Sequence, residues 1–401
     1  MSKHPTAHRF GQTRPSVSPP HPQQAPLYKG EGFEALPGPT GSPPFRLDLS
    51  EIVPDAMAAA EKAGGMSFHM VGDTGGVKDP NPQLLVARGL EQDAAIAGPY
   101  GRPAFFYHLG DVIYFDGQAS EYAPQFYEPY AHYELPILGI PGNHDGAVMD
   151  DGTRDNPLPS LATFVRNFCA ARPGTRSPDA GEATRTAMIQ PNVYWTLLSP
   201  FATIVGLYTN VPEGGVVEPD QAAWFEAELA AAPADRPLIV ALHHPLYSLD
   251  TYHSGSKPMA ALLAAATKKA KRQPHIVFSA HVHNYQRFTV ADANAPGKAG
   301  AAAPRVTPFI VAGAGGYHNL HKMAQIDGKP LMTPYQDATM PGVTLNSYFD
   351  DRFGFLRVTV SGTEIAVESY TVPRPQEPWS RGARLFDSMR LDWGRRTLLA
   401  G

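Results

Sequence analysis

The sequence predicts an α/β protein, and three observations carry that prediction. From Ser67 onward, short apolar runs alternate with stretches of helical periodicity, the pattern of successive βαβ units. Five of those runs end in Gly-Asp, Gly-Asn or histidine-rich loops, as expected where an α/β sheet assembles a site at the carboxyl ends of its strands. With 401 residues, 43% of them hydrophobic, the chain can bury one large core or two modest ones.

Taken in order, the run Phe68 to Val71 is a strand that ends in Gly72-Asp73-Thr74-Gly75-Gly76, and the amphipathic stretch Pro82 to Ile96 is the helix after it. A second strand, Phe105 to Leu109, leads into Gly110-Asp111 and, three residues later, Tyr114. A third, Leu135 to Ile140, leads into Pro141-Gly142-Asn143-His144-Asp145. Leu161–Ala171 reads as a helix, and Tyr194–Leu198 with Ala202–Tyr208 as an antiparallel pair. Pro219–Ala231 is predicted helical, with proline in its first turn and Trp224, Phe225 and Leu229 on one face. Two further strands end in histidine: Leu238–Leu242 before His243-His244-Pro245, and Ile276–Ser279 before Ala280-His281-Val282-His283. The helix between them, Pro258–Ala270, has Lys268, Lys269, Lys271 and Arg272 at its end, where positive charge is favoured by the helix dipole. Phe309–Ala312 is a strand before a glycine turn, and Phe355–Val360 with Ile365–Val372 form a closing hairpin.

The ends differ from this middle. Residues 1–45 are rich in Pro, Gly, Ser, His and Gln and are expected to be a flexible, polyproline-like arm, because they bury too little surface to offset their ordering entropy. Residues 46–372 form the expected main domain, within which 317–350 lacks periodicity and reads as a loop or lid. In the tail, 373–401, Leu385, Met389 and Trp393 fall four apart, so a short helix docking on the body is expected there.

A net charge of −5 gives no general electrostatic reason to bind nucleic acid or an anionic membrane, which points to a small-molecule partner. There is no apolar run of membrane-spanning length and no secretory signal pattern. The single cysteine, Cys169, sits in an apolar helix as an inert packing residue and can form no intrachain disulfide. Cytoplasmic residence is the simplest expectation.

The polar groups at the strand ends are Asp73, Asp111, Tyr114, Asn143, His144, His243, His281 and His283. Each has an ordinary explanation alone: aspartate and asparagine after glycine are frequent turn residues, and single histidines are mostly satisfied core residues. Five buried strands have no structural reason to end repeatedly in groups that are costly to desolvate unless something pairs with them. A pair of metal ions would do so. Mixed carboxylate, phenolate, amide and imidazole donors suit Fe, Zn or Mn rather than Ca or Mg. A shared carboxylate can hold two cations about 3.5–4 Å apart, and Asp111 is the candidate bridge. Competing chemistries lack their motifs: no G-x-S-x-G elbow and no phosphate-binding G-x-x-x-x-G-K-[ST] loop occurs. The run Gly313-Ala314-Gly315-Gly316 fails the dinucleotide pattern because His318 stands where its last glycine belongs.

The ordered series GDTG (72–75), GDVIY (110–114), GNHD (142–145), VALHH (240–244) and AHVH (280–283) resembles the motif set of the calcineurin-like metallophosphoesterases. GDxxY with its tyrosine is similar to the purple acid phosphatases. The segments 219–229 and 353–362 extend the resemblance to about residue 372. It implies a four-layer sandwich of two mixed β-sheets flanked by helices, with a dinuclear site at the strand C-terminal ends. It further implies Fe(III) held by Asp73, Asp111, Tyr114 and His283, and Fe(II), Zn or Mn held by Asp111, Asn143, His243 and His281. The chain departs from the family in Ala280, where glycine usually precedes the histidine pair, and in lacking both a signal peptide and a plant-type amino-terminal β-domain.

The expected reaction is hydrolysis of phosphate monoesters by in-line attack of a metal-bound hydroxide, with the cations offsetting charge on the equatorial oxygens. Phosphodiester hydrolysis at the same two metals is the alternative, and a non-catalytic metal-bearing scaffold is the alternative of another class. His144 is expected to stabilise the transition state or protonate the leaving group. His244 is expected to orient substrate or simply pack, and Asp145 to hydrogen-bond His144 and set its tautomer. His69 and His108 are expected in the core, while His253, His318, His321, Tyr247 and Tyr317 lie where they could reach the mouth of the site.

Overall fold

The computed structural model describes residues 36–147, 160–209, 215–292 and 304–400. Two mixed sheets face each other. The first has seven strands in the order Thr397–Leu398, Arg384–Asp392, Glu364–Thr371, Gly354–Ser361, Gly65–Val71, Phe106–His108, Ile137–Gly139. The second has eight, in the order Arg46–Asp48, Trp195–Leu198, Thr203–Gly206, Leu238–Ala241, Ile276–Ser279, Val306–Ala312, Tyr285–Ala291, Val343–Phe349. Within each, the strands that precede the polar loops run parallel to one another, so their carboxyl ends come to one edge.

Alternation along the strands divides their side chains between two cores. Met70, Tyr107, Leu138 and Val358 of one sheet meet Trp195, Ile204, Ile239, Phe278 and Ile310 of the other in the central layer. Their sequence neighbours Val71, Phe106 and Ile137 point outward onto Val86 and Leu90 of the helix Asn81–Ala94 and onto Phe164 and Phe168 of the helix Ala162–Phe168. On the opposite outside, Val205, Val240, Val277 and Val311 pack against Phe225 and Leu229 of the helix Pro219–Ala231 and against Met259 and Leu263 of the helix Lys257–Ala270. Strands buried on both faces must be apolar throughout, which is why these read as continuous runs. The result is the helix, sheet, sheet, helix sandwich that the motif resemblance implied.

Two expectations need correction. The tail is not helical: Arg384–Asp392 is a strand paired antiparallel with Glu364–Thr371. The spacing of four between Leu385 and Met389 is incidental, for Met389 and Leu391 are buried at a spacing of two while Leu385 and Phe386 stay exposed. Arg390 forms a two-pronged pair with Glu364 of the neighbouring strand. Asp387 reaches across to the other sheet, accepting from Arg287 Nε at 2.7 Å and from Tyr285 Oη at 2.7 Å. The expected closing hairpin is therefore internal to its sheet, and residues 384–392 belong to the body expected to stop at 372.

The second correction concerns 317–350, which contains the strand Val343–Phe349, paired with Tyr285–Ala291 through an irregularity between Leu345 and Ser347. That break in alternation hides the strand from a period-two reading. Of the predicted amino-terminal arm, residues 1–35 lie outside the described residues; from Arg46 the chain is already the edge strand of the larger sheet, parallel to Trp195–Leu198. No helix among the described residues is long and apolar enough to cross a membrane.

Candidate metal centre

The polar loops of both sheets converge. Asp73 follows the strand Gly65–Val71, Asp111 follows Phe106–His108, and Asn143 opens the short helix Asn143–Gly146 after Ile137–Gly139. From the facing sheet, His243 follows Leu238–Ala241, and His281 and His283 follow Ile276–Ser279. Asp73, Asp111 and His281 hold left-handed backbone angles, φ 56°, 52° and 66°. Such strain costs on the order of 1–3 kcal/mol per residue and persists where surrounding contacts over-determine it. Here the Asp73 N–H donates to Gly110 O and the Thr74 N–H to Asp111 O. Gly142 is required by proximity, since a Cβ there would stand 2.1 Å from Asp111 Oδ1. Gly110 combines φ 95° with a would-be Cβ 2.7 Å from His243 Nδ1.

Two overlapping sets of donor atoms result. In one, Asn143 Oδ1 lies 3.1 Å from His243 Nε2 and 3.0 Å from His281 Nδ1, and His243 Nε2 lies 3.3 Å from Asp111 Oδ2. Ligand atoms of Asp111, His243 and His281 all fall within 4.8 Å of one another. In the other, Tyr114 Oη stands 3.2 Å from Asp73 Oδ1 and 3.3 Å from His283 Nε2. His243 Nε2, 3.9 Å from Asp73 Oδ1, lies where the sets meet. All seven residues predicted as metal ligands are thus brought together and buried.

The electrostatics fit cations. Burial holds the His281 and His283 imidazoles well below their ordinary pKa, so they are neutral donors. Burial alone would lower His243 as well, but the Asp111 carboxylate outweighs it and pushes that group up to about 9. Burial would raise Asp111, and His243 beside it instead holds it below the usual carboxylate range. The Asp73 carboxyl is raised, by burial first and then by Asp111, and its Oδ2 is buried with no hydrogen-bond partner among the described residues. Acceptor oxygens crowded on the neutral imidazoles of His281 and His283, with one Asp73 carboxylate oxygen unpaired, are what two bound cations would satisfy.

Around these donors, Gln125 clamps Tyr114 at both ends of its backbone, accepting from its N–H at 2.9 Å and donating to its carbonyl at 2.7 Å. The Tyr317 ring stacks on Tyr114 with centroids 4.0 Å apart, and His144 lies against it at 4.5 Å. His144 is half-buried; its N–H donates to Asp111 Oδ1 at 2.9 Å, and Nδ1 is bound to Phe115 O at 2.7 Å. Its Nε2 is then the nitrogen available to a ligand.

His244 is 1% exposed, with Nδ1 2.6 Å from Thr209 Oγ1 and its ring 4.2 Å from that of His281, so it packs behind the centre. The expected Asp145–His144 hydrogen bond is absent. Asp145 instead accepts from the backbone N–H groups of Gly142, Val112 and Ile113 at 2.8 to 3.2 Å. A buried carboxylate facing three free amides is satisfied there, and it ties the Asp111 loop to the Asn143 loop.

His69, bound to Asp93 and Tyr133, and His108, bound to Thr74, are core residues as expected. Tyr247 packs on Phe288 and Phe309 rather than lining the site. His253 and His321 do reach it: their rings lie 4.4 Å from His281 and 4.3 Å from His283. His318 touches only the outer side of Tyr317 among these rings. Ala280 is accommodated because residue 72 is glycine; a Cβ there would meet the Ala280 methyl at 2.5 Å.

Comparison with known proteins bears on the family and the fold. The calcineurin-like phosphoesterase profile matches residues 66–285, more than half of the chain. Among solved structures, a purple acid phosphatase, PPD1, from seeds of yellow lupin (Lupinus luteus) superposes with a TM-score of 0.52 at 18% identity, covering 82% of this chain and 54% of that one. PhoD superposes with a TM-score of 0.51 at 13% identity, covering 84% of this chain and 71% of that one. The chain therefore spans about half the length of the lupin protein, and at these identities the likeness is one of fold. No curated protein sequence matches significantly.

Proposed function

The chain belongs to the calcineurin-like phosphoesterase family, and from that premise we propose that it hydrolyses phosphate monoesters at a two-metal centre of the purple acid phosphatase type. The observation that carries this reading is the phenol of Tyr114, 3.2 Å from Asp73 and 3.3 Å from His283. That tyrosine is what would distinguish a ferric site from a generic two-metal phosphoesterase.

Asp73, Asp111, Tyr114 and His283 would hold Fe(III), and Asp111, Asn143, His243 and His281 would hold Fe(II), Zn or Mn. When bound, the cations supply Lewis-acid charge for the phosphoryl oxygens and make water nucleophilic near neutral pH. The chain's own groups do the rest. Asp111 gives Oδ2 to the centre while Oδ1 is fixed by the His144 N–H. His144, with Nδ1 committed to Phe115 O, donates a proton from Nε2 to the departing oxygen. Tyr317, stacked on Tyr114, and His253, against His281, line the approach. The substrate is a small phosphorylated molecule, consistent with a net charge of −5.

The test is hydrolysis of p-nitrophenyl phosphate and its bis-ester by metal-loaded protein. Turnover of the monoester in preference to the bis-ester is expected. Preference for the bis-ester would replace the reading with a phosphodiesterase, and turnover of neither would favour a binding scaffold.

A further inference from the structure

His281 is held differently from the other two imidazoles of the centre. His243 and His283 each commit Nδ1 to a backbone carbonyl, Leu109 O and Asn319 O, both at 2.9 Å. A hydrogen bond on the second nitrogen is the usual device that fixes a ligating histidine in tautomer and ring plane. His281 faces the centre through Nδ1, 3.0 Å from Asn143 Oδ1, and its Nε2 has no hydrogen-bond partner among the described residues.

Two rings flank it instead. His244 lies with centroids 4.2 Å apart and planes at 42°, and His253 with centroids 4.4 Å apart and planes at 37°. The ring of His244 and the backbone of His253 are each anchored. His244 Nδ1 is bound to Thr209 Oγ1 at 2.6 Å. On the other side, Asp250 accepts the backbone N–H of His253 through Oδ1 and places Oδ2 3.1 Å from Nδ1 of His321, whose ring is 5.1 Å from that of His253. The Asp250 side chain is fully enclosed, a buried carboxylate for which the proposed chemistry has no use.

We propose that His244 and His253 are positioning residues that set the plane of His281 by ring packing in place of a hydrogen bond, with Thr209 and Asp250 as their anchors. The inference rests on the two-metal reading and on His281 as a ligand of the second ion. Packing of this kind requires a flat ring and no ring nitrogen, which separates it from any role of His253 toward substrate. A phenylalanine at 253 would keep the first role and lose the second.

Calorimetric titration of the metal-free full-length protein with Zn(II) tests this, read as the affinity of each of two sites. His253→Ala is expected to weaken one site by about tenfold or more, the range seen when a group orienting a metal ligand is removed, and to leave the other near the parent value. His253→Phe is expected to restore the weakened site. Unchanged affinity in His253→Ala would overturn the proposal, and so would equal losses in the Ala and Phe variants, which would assign the effect to a ring nitrogen. Should His253→Ala not fold, Thr209→Val frees His244 on the other face and predicts the same selective loss; parental affinity there is contrary. A parent that takes fewer than two ions overturns this inference together with the two-metal reading. A parent that takes two ions but leaves p-nitrophenyl phosphate intact sinks the monoesterase reading alone.

Discussion

Tyr114 Oη lies 3.2 Å from Asp73 Oδ1, although the two residues leave different strands and are 41 positions apart. Left as a phenol, Tyr114 would stay protonated, because burial, then Asp111 and Asp73, raise its pKa well above the ordinary value. Only a cation of high charge reverses that order, which makes the tyrosine a reporter. Tyr114→Phe is expected to abolish the visible charge-transfer band of the iron-loaded protein while monoester hydrolysis continues at a reduced rate. An absorption spectrum decides it; a colourless iron-loaded parent would remove the ferric assignment.

Asp145 binds three backbone amides that come from two ligand-bearing loops. Asp145→Ala leaves those donors buried and unpaired, at about 1–3 kcal/mol each. A stability loss of about 3 kcal/mol or more is expected in urea denaturation, together with weaker metal binding, because Asp111 and Asn143 are no longer tied to each other. A variant as stable as the parent would contradict this.

Three of the five strand ends are legible because a glycine stands beside the ligand, and Gly110 and Gly142 are glycines for lack of room beside His243 and Asp111, while the other two are legible as histidines closing apolar runs. The helix Pro219–Ala231 is legible to the residue, since proline in the first turn and one apolar face mark it. Other features leave no such trace. Tyr285–Ala291 carries Gln286 and Arg287, whose polarity is matched by Ser248 and Asp387 only in three dimensions. The strand Arg384–Asp392 mimics a helix in sequence because Leu385 and Phe386, exposed in the fold, blur its alternation. His253 and His321 sit in loops, where no periodicity gives direction, so the sequence allows their approach to His281 and His283 without fixing it. Asp145 turns away from its sequence neighbour for a similar reason: adjacency to His144 says nothing about which way a side chain points after a helical bend.

His144 is fixed by Phe115 O and by Asp111 but is not a member of either donor set. Its substitution should therefore separate catalysis from metal binding. His144→Ala is expected to lower kcat by about 10²–10⁴, the range for loss of a general acid, with metal content unchanged by elemental analysis. Loss of metal together with activity would make it a structural residue instead.

A pH effect on stability is expected far from the centre. His275 precedes the strand Ile276–Ser279 and accepts the Leu238 N–H on Nδ1 at 2.8 Å. Burial, helped by Arg396 and Arg272, pushes it down to about 3 from 6.5. Below 6.5 the unfolded chain takes up a proton that the folded chain refuses, so the unfolded state binds more protons and stability rises with pH. The contribution is complete above pH 6.5 and is lost progressively as pH falls toward about 3. His275→Asn, which retains an acceptor for Leu238, is expected to flatten that part of the stability profile measured by denaturation; an unchanged slope would contradict it.

Asp73, Asp111, Tyr114, Asn143, His243, His281 and His283 are proposed to hold two cations. The metal content of the purified protein, counted per chain by elemental analysis before and after Asp111→Ala, tests it most directly. Two ions per chain in the parent, with both lost or greatly weakened when the shared carboxylate is removed, is the predicted result. One ion or none in the parent, or two ions that survive the loss of Asp111, would contradict that assignment.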